Sequence, residues 1–435
     1  MAANERTRVA IVGGGPAGMF LGLLVARAGV AVTVLEKHAD FLRDFRGDTV
    51  HSSTLTLLDE LGLGPAFAAI PQRRITSVSA QLDSGPAIIG DLTRLGGTHP
   101  HIALVPQWDL LELLARAAER EPGFQLVRNA EVTGLLREAA TNDDGAAADG
   151  GRVTGVAWRS REDGSEHTLE ADLVVACDGR WSPVRDAAGL TPRTFGAPMD
   201  LWWFRLPRRP DDPDGGFGRV SHGQFLIMID RGDYWQCGYI IRKGADARLR
   251  AEGLDAFRAR LAAIQPWLAD RLGEAPPSFD DVKLLDVRLD RLERWHLPGL
   301  LVIGDAAHAM SPVGGVGINL AIQDAVAAAR ALRPALGRGG PVPESVLQAV
   351  QRRRWWPTVA VQGFQQAAHW GVVRRILDDD GGASRVPTRA PLPLRVLSRY
   401  PVLQGLPARF VAVGPLPEHA PRWARRKPGP LDSGS

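Results

Sequence analysis

The chain has 435 residues, 45% of them hydrophobic and 23% charged, a balance that excludes a disordered, collagen-like or coiled-coil protein. At about 150 residues per domain, it has room for two or three domains or one large catalytic unit with an insertion. Its formal net charge of +3, from 52 basic and 49 acidic residues, gives no reason to expect a nucleic-acid partner. The two cysteines, Cys177 and Cys237, are too few for a disulfide scaffold and suggest a reducing compartment.

Val9 to Val12 is a short apolar run of the buried parallel-strand kind. After a Gly-rich turn, Pro16 to Ala28 predicts a helix that stops at Gly29, and Val30 to Leu35 predicts a second strand. This is a βαβ unit rather than a membrane span or an export signal, because Gly13-Gly14-Gly15-Pro16 breaks the apolar run. Helices are expected over Leu55–Leu61 and Asp109–Arg120, and paired strands over Gln125–Arg137 and Arg152–Arg159. The small, polar stretch from Ala139 to Gly151 is expected as the loop between that pair. Leu169–Ala176 returns to a buried strand.

After Gly189 the character changes. Met199–Leu206, Phe217–Asp230 and Tyr234–Arg242 are aromatic-rich with polar alternation, as in an antiparallel sheet. A helix is expected over Leu254–Leu272, a buried strand at Leu300–Ile303, a helix over Asn319–Leu332 and mostly helix over Pro343–Arg375. The last 51 residues hold 10 of the 32 prolines and nine basic residues against Glu418 and Asp432. They read as irregular, solvated or packed surface chain, since the charges are spread among prolines rather than clustered on a membrane-binding helix. The order of segments fits a dinucleotide-binding domain with a substrate domain inserted into it.

Three motifs carry chemistry. In the first, Gly13, Gly15 and Gly18 fill the positions of G-x-G-x-x-G. They permit a tight turn, close approach of a pyrophosphate, and close helix packing. Pro16 and Ala17 open the helix whose N-terminus attracts phosphate, and Glu36, 23 residues after Gly13, stands where an acid binds ribose hydroxyls. That fingerprint alone serves NAD and FAD equally. In the second, Gly304-Asp305 follows a buried strand and leads through Pro312 to Gly314, Gly315, Gly317 and Asn319. Such a loop offers a carboxylate to sugar-type hydroxyls and backbone N–H groups to an electron-rich ring. The third, Cys177 to Arg185, contains Asp178-Gly179 at the end of another buried strand.

In this order and spacing the motifs resemble the group A flavoprotein monooxygenases, the para-hydroxybenzoate hydroxylase class. GDAAHAMSPVGGVGINLAIQDA is the most specific segment, and the resemblance covers about residues 8–375. It implies an α/β protein with a Rossmann-like FAD-binding domain, an inserted antiparallel-sheet substrate domain and a helical C-terminal region. The FAD-binding parts are expected at 1–75, 106–190 and 291–335, and the substrate parts at 76–105 and 191–290. C-terminal helices and a Pro/Arg-rich tail fill 336–435. The resemblance implies FAD held by Gly13, Gly15, Pro16, Ala17, Gly18, Glu36, Lys37, Asp178, Gly304, Asp305 and Pro312, with Gly314, Gly315, Val316, Gly317, Ile318 and Asn319 along the isoalloxazine. Arg46 falls where the family has a flavin-contacting arginine, and Gln107 stands where many members have arginine.

The implied activity is NAD(P)H- and O₂-dependent hydroxylation or epoxidation of an aromatic or polyunsaturated small molecule through a flavin C4a-hydroperoxide. The cofactor supplies that reactivity, and the protein supplies position and exclusion of water. Arg46, His51 and Pro312 are catalytic candidates; no general base stands out, and no metal site is expected. Substrate candidates on the inserted sheet are Trp203, Arg205, His222, Gln224, Met228, Trp235 and Tyr239, together with Trp202 and Tyr234. Alternation turns about half of these away from any pocket. The expected setting is cytoplasmic, as monomer or homodimer, with a hydrophobic or aromatic substrate, no nucleic acid and no integral membrane segment. The alternatives are a reductase or dehydrogenase of the geranylgeranyl reductase type, without oxygen insertion, and a redox-sensing flavoprotein. A halogenase is disfavoured because Trp202-Trp203-Phe204-Arg205-Leu206-Pro207 does not fit W-x-W-x-I-P.

Overall fold

The structure is a computed structural model; it describes residues 5–42, 49–83, 85–138, 140–141, 147–148, 151–213, 216–221, 223–377 and 392–429. Arg46, His222 and most of the expected 139–151 loop lie outside the described residues.

An eight-stranded sheet forms the first layer. Five strands run parallel in the order Leu300–Val302, Glu166–Ala176, Glu5–Val12, Val32–Leu35 and Phe124–Val127. Their apolar runs are buried on both faces, as parallel strands covered by helices require. The Pro16–Arg27 and Gly317–Leu336 helices cover one face side by side. On this architecture ligands bind beyond the C-terminal ends of the strands. Gly13, Glu36, Cys177 and Ile303 each follow such an end.

The expected Gln125–Arg137 strand is two strands. Asn129, at φ 58°, turns the chain in the left-handed region that asparagine tolerates. Phe124–Val127 stays in the parallel sheet, and Ala130–Arg137 pairs antiparallel with Val153–Ser160.

The second layer is a seven-stranded sheet in the order Lys283–Leu285, Met199–Pro207, Tyr234–Arg242, Gln224–Asp230, Gly216–Ser221, Ser77–Leu82 and Gly85–Asp91. The expected Phe217–Asp230 strand is therefore a hairpin, with Ser221 paired to Gln224 at its end. Within 76–105, the strand Ile102–Leu104 joins a separate three-stranded sheet with Thr49–Val50 and Arg73–Ile75. The Leu254 helix stops at Ile264 rather than running to Leu272, because Pro266 disfavours helical backbone at Gln265.

The C-terminal segment is not irregular chain. It forms helices at Leu392–Arg399 and Gly405–Ala412, the latter with Pro407 tolerated in its first turn. Ala408 and Ala412 are buried against Leu92, Leu95 and Ile102. No helix among the described residues is long and apolar enough to cross a membrane.

Candidate flavin and substrate site

One cavity of about 1750 Å³ lies between the strand ends of the first sheet and one face of the second. That exceeds the usual volume for a drug-sized ligand, roughly 300–1,000 Å³.

At its floor, Gly13 has φ +100°, and a Cβ there would come within 2.5 Å of the Cys177 carbonyl oxygen. A Cβ on Gly18 would sit 2.0 Å from the Gly13 carbonyl oxygen, so only glycine lets helix and turn pack this closely. A Cβ on Gly15 would meet nothing within 4 Å, and the Pro16–Arg27 helix has no side-chain cap. Its N-terminal N–H groups therefore face open space with the positive end of the helix dipole behind them. Glu36 borders the same space; its carboxylate accepts from the Gly14 N–H at 2.8 Å and the His38 N–H at 3.0 Å.

Two further motifs meet across this floor. Asp305, a third exposed, is 3.4 Å from the Arg180 guanidinium. Buried Arg185 donates to the carbonyls of Ala306 and Arg180, tying the Asp178 turn to the Asp305 turn. Asp178 accepts the Val184 N–H on one oxygen, and its other oxygen is buried without a partner. Burial raises its pKa. Beneath the floor, Asp324 accepts from His308 at 2.5 Å, Arg354 at 3.0 Å and the Gly304 N–H at 3.2 Å. Burial pushes its pKa up, but the interactions and hydrogen bonds with His308 and Arg354 outweigh that and hold it below the usual carboxylate range. His308 is thus a buried structural partner. The sequence signal for Asp324 is its place near the end of the GDAAHAMSPVGGVGINLAIQDA segment.

Of the expected cofactor residues, Gly13, Gly15, Pro16, Ala17, Glu36, Lys37, Gln107, Asp178, Asp305, Pro312, Gly315, Gly317 and Ile318 border the cavity. Gly18, Gly304, Val316 and Asn319 stand behind its wall. Gly304 packs against Ala17 and Ala321, Val316 is buried among Leu289 and Met310, and Asn319 accepts from the Ser53 and Thr54 hydroxyls. His51 borders the cavity beside Gly315. Its Nδ1 donates to the Val411 carbonyl at 2.9 Å and its Nε2 is buried without a partner. Burial pushes its pKa down to about 4, so the ring is neutral at neutral pH.

The second sheet faces the cavity with Met199, Leu201, Trp203, Phe225, Ile227 and Ile240, at alternate positions of paired strands, and Gly238 lies on the same face beneath Trp203. Trp203 and Met228 border it among the expected substrate residues, although the Met228 side chain packs with the far-side cluster. Trp202, Trp235 and Tyr239 point the other way, into a core with Phe257 and Leu261. Trp235 donates to Asp212, and Gln224 accepts from the Tyr239 hydroxyl. Arg205 stacks on Tyr234, 4.6 Å from the ring centroid, and borders no part of the cavity. The phase was hard to read because Trp235–Ile241 is buried throughout. The opposite wall comes from the C-terminal third, including Ala368, Val372, Ala408 and Val411, which sequence reasoning missed.

Comparison with known proteins matches this geometry. The model of the family described as "FAD binding domain" covers residues 6–362, and the chain belongs to that family. It is an FAD-dependent monooxygenase of the para-hydroxybenzoate hydroxylase class. It is 34% identical to 6-methylpretetramide 4-monooxygenase of Streptomyces rimosus over 81% of each chain. It is 27% identical to 3-demethoxyubiquinol 3-hydroxylase of Escherichia coli, over 74% of this chain and 78% of that one. Among solved structures, the OxyS anhydrotetracycline hydroxylase of Streptomyces rimosus superposes with a TM-score of 0.70 at 23% identity. That match covers 94% of this chain and 76% of the other. At that identity the likeness shows the fold alone. The relatives named as monooxygenases do not favour the reductase alternative.

Proposed function

We propose that the chain uses NAD(P)H and O₂ to hydroxylate an aromatic framework of more than one ring. The observation that carries this reading is that the glycine floor and the aromatic face of the second sheet share one cavity, with the Pro312–Ile318 loop between them. The names of the relatives, a 6-methylpretetramide and an anhydrotetracycline hydroxylase among them, support the substrate class.

The residues fit FAD. Uncapped N–H groups at Gly15 suit the pyrophosphate, Glu36 the ribose hydroxyls, and Asp305 the ribityl hydroxyls. When bound, FAD supplies hydride acceptance and oxygen activation. The chain's part is to hold the ring beside Pro312–Ile318 and to lay the substrate on Trp203 and Phe225. Apolar walls exclude water, which strengthens each polar contact inside. NAD(P)H as electron source is what the resemblance to the group A flavoprotein monooxygenases implies. The free Cys177 and Cys237 thiols support a cytoplasmic setting.

The test uses FAD-loaded protein, NADPH or NADH, ¹⁸O₂ and a tricyclic hydroxyanthraquinone as probe. Incorporation of one labelled oxygen into the probe supports the reading. Reduction of the probe without oxygen uptake would support the reductase reading instead.

A further inference from the structure

The Glu344–Ala368 helix carries a buried polar stripe that the flavin chemistry does not explain. Gln362, Gln365 and His369 follow one another at spacings of three and four and are fully buried. They therefore lie on one face, and that face meets the 309–313 segment. Gln362 donates to the carbonyls of Asp290 at 2.7 Å and Ala309 at 3.4 Å. Gln365 accepts the Ser311 N–H at 3.1 Å and donates to the carbonyls of Ser311 at 2.8 Å and Val313 at 2.9 Å. His369 Nε2 lies 2.7 Å from the Ser311 hydroxyl. One side-chain amide thus satisfies three backbone groups on both sides of Pro312. The next residues, Gly314 and Gly315, have left-handed backbone at φ +81° and +63° and no ladder of their own.

We infer that Gln365 is the positioning residue of the flavin-facing loop. Its amide fixes Ser311 and Val313, and through them it sets where Pro312 to Ile318 meet the ring. This rests on the reading that the Pro312–Ile318 loop borders the isoalloxazine. A buried amide suits the task because it offers a donor and an acceptor in one plane without bringing a charge toward the flavin. The same helix continues past Ala368 into a π-helical turn, whose Gly371 and Val372 border the cavity. Loop and substrate wall therefore share one rigid element.

Gln365→Met keeps the length and removes all three hydrogen bonds. In FAD-saturated protein, the ratio of affinities for oxidised and reduced FAD is expected to change about tenfold. A two-electron couple reads that as roughly 30 mV in midpoint potential. The long-wavelength flavin absorption band is expected to shift with it. Gln351 is the control: it clamps backbone in the same way at Trp295 N–H (3.0 Å) and the Glu293 carbonyl (2.7 Å), away from the loop. Gln351→Met is expected to lower thermal stability and leave the potential in place. Gln365→Asn covers failure of Gln365→Met to fold. It stays neutral and withdraws the amide by one methylene from Ser311 and Val313, with the same expected displacement. A potential within about twofold of wild type in the affinity ratio, or an equal shift in Gln351→Met, overturns the inference. Gly315→Ala separates the two readings: its Cβ would come within 2.8 Å of Thr49 Oγ1 and strain the loop directly. If Gly315→Ala also leaves the flavin band unmoved, the placement of the loop at the ring fails. If it moves the band and Gln365→Met does not, only the role of Gln365 fails.

Discussion

Trp203 lies across Gly238, its directly paired neighbour on the adjacent strand, and a Cβ on that glycine would come within 3.1 Å of the indole. Phe225 lies over Gly218, a diagonal neighbour on the adjacent strand, with 2.9 Å to a Cβ there. Glycine in a strand interior costs stability. Here it leaves room on the sheet for two aromatic rings that border the cavity.

Gly238→Val is therefore expected to push the Trp203 ring upright while leaving the strand paired. A stacked aromatic contact contributes about 0.5–1.5 kcal/mol beyond its buried area. Binding of a hydroxyanthraquinone should weaken by up to about tenfold. Fluorescence titration measures it with FAD bound, and FAD affinity should stay at the wild-type value. An unchanged anthraquinone affinity would remove Trp203 from the substrate site.

Asp305 and Arg180 form the ion pair at the floor, at 3.4 Å. Charge-assisted hydrogen bonds from FAD hydroxyls to that carboxylate would each contribute roughly 1.5–3 kcal/mol. Asp305→Ala is expected to weaken FAD binding at least about tenfold, since 1.4 kcal/mol is a factor of ten. Equilibrium titration of the folded apoprotein checks it, and wild-type affinity would show the motif to be wrongly placed.

His51 sets a direction for acid stability. Burial lowers its pKa from about 6.5 to about 4. Below pH 6.5 the unfolded chain takes up this proton and the folded chain does not, so stability falls with pH until about pH 4. A shift of that size is on the order of 3 kcal/mol. His101, His296 and His369 are lowered by burial as well and act in the same direction. Urea unfolding from pH 7 to pH 4 should show the decline, and His51→Gln should flatten it. An identical slope in the variant would mean that the ring is charged or exposed in the folded protein.

The parallel layer was legible in the sequence because each element announces itself locally. Gly13, Gly15, Glu36 and Asp305 belong to turns whose chemistry is written within a few residues of a buried strand. The second sheet was legible as strands but not in its phase. Trp235 and Tyr239 drew attention as aromatics, yet Gln236 and Ile240 on the same strand border the cavity, and burial on both sides removed the alternation that would have shown it. The C-terminal wall was illegible for another reason. Ala408 packs on Leu92 and Ile102, more than 300 residues earlier in the chain, and lies in a segment whose prolines suggested irregular chain.

That segment is held by one buried carboxylate. Glu418 is fully buried and receives Arg330 at 2.8 Å and Arg353 at 2.5 Å, with Arg354 at 3.8 Å. Its N–H donates to Gln323. Removing one partner from a buried ion pair costs about 3–5 kcal/mol, because the other charge is left behind. Arg330 and Arg353 are 41% and 42% exposed and regain water, so Glu418→Ala is expected at the lower end, about 3 kcal/mol. The loss should be local first. Val411, seven residues upstream, gives its carbonyl to His51 and its side to the cavity. Loosening the tail should speed proteolytic cleavage beyond residue 400 several-fold before the parallel sheet unfolds. It should also weaken anthraquinone binding more than FAD binding. Mass-mapped limited proteolysis of wild type and Glu418→Ala, with and without FAD, reads both effects. Equal cleavage rates in the two proteins would show that the tail is held by its apolar contacts with Leu92, Leu95 and Ile102 rather than by this carboxylate.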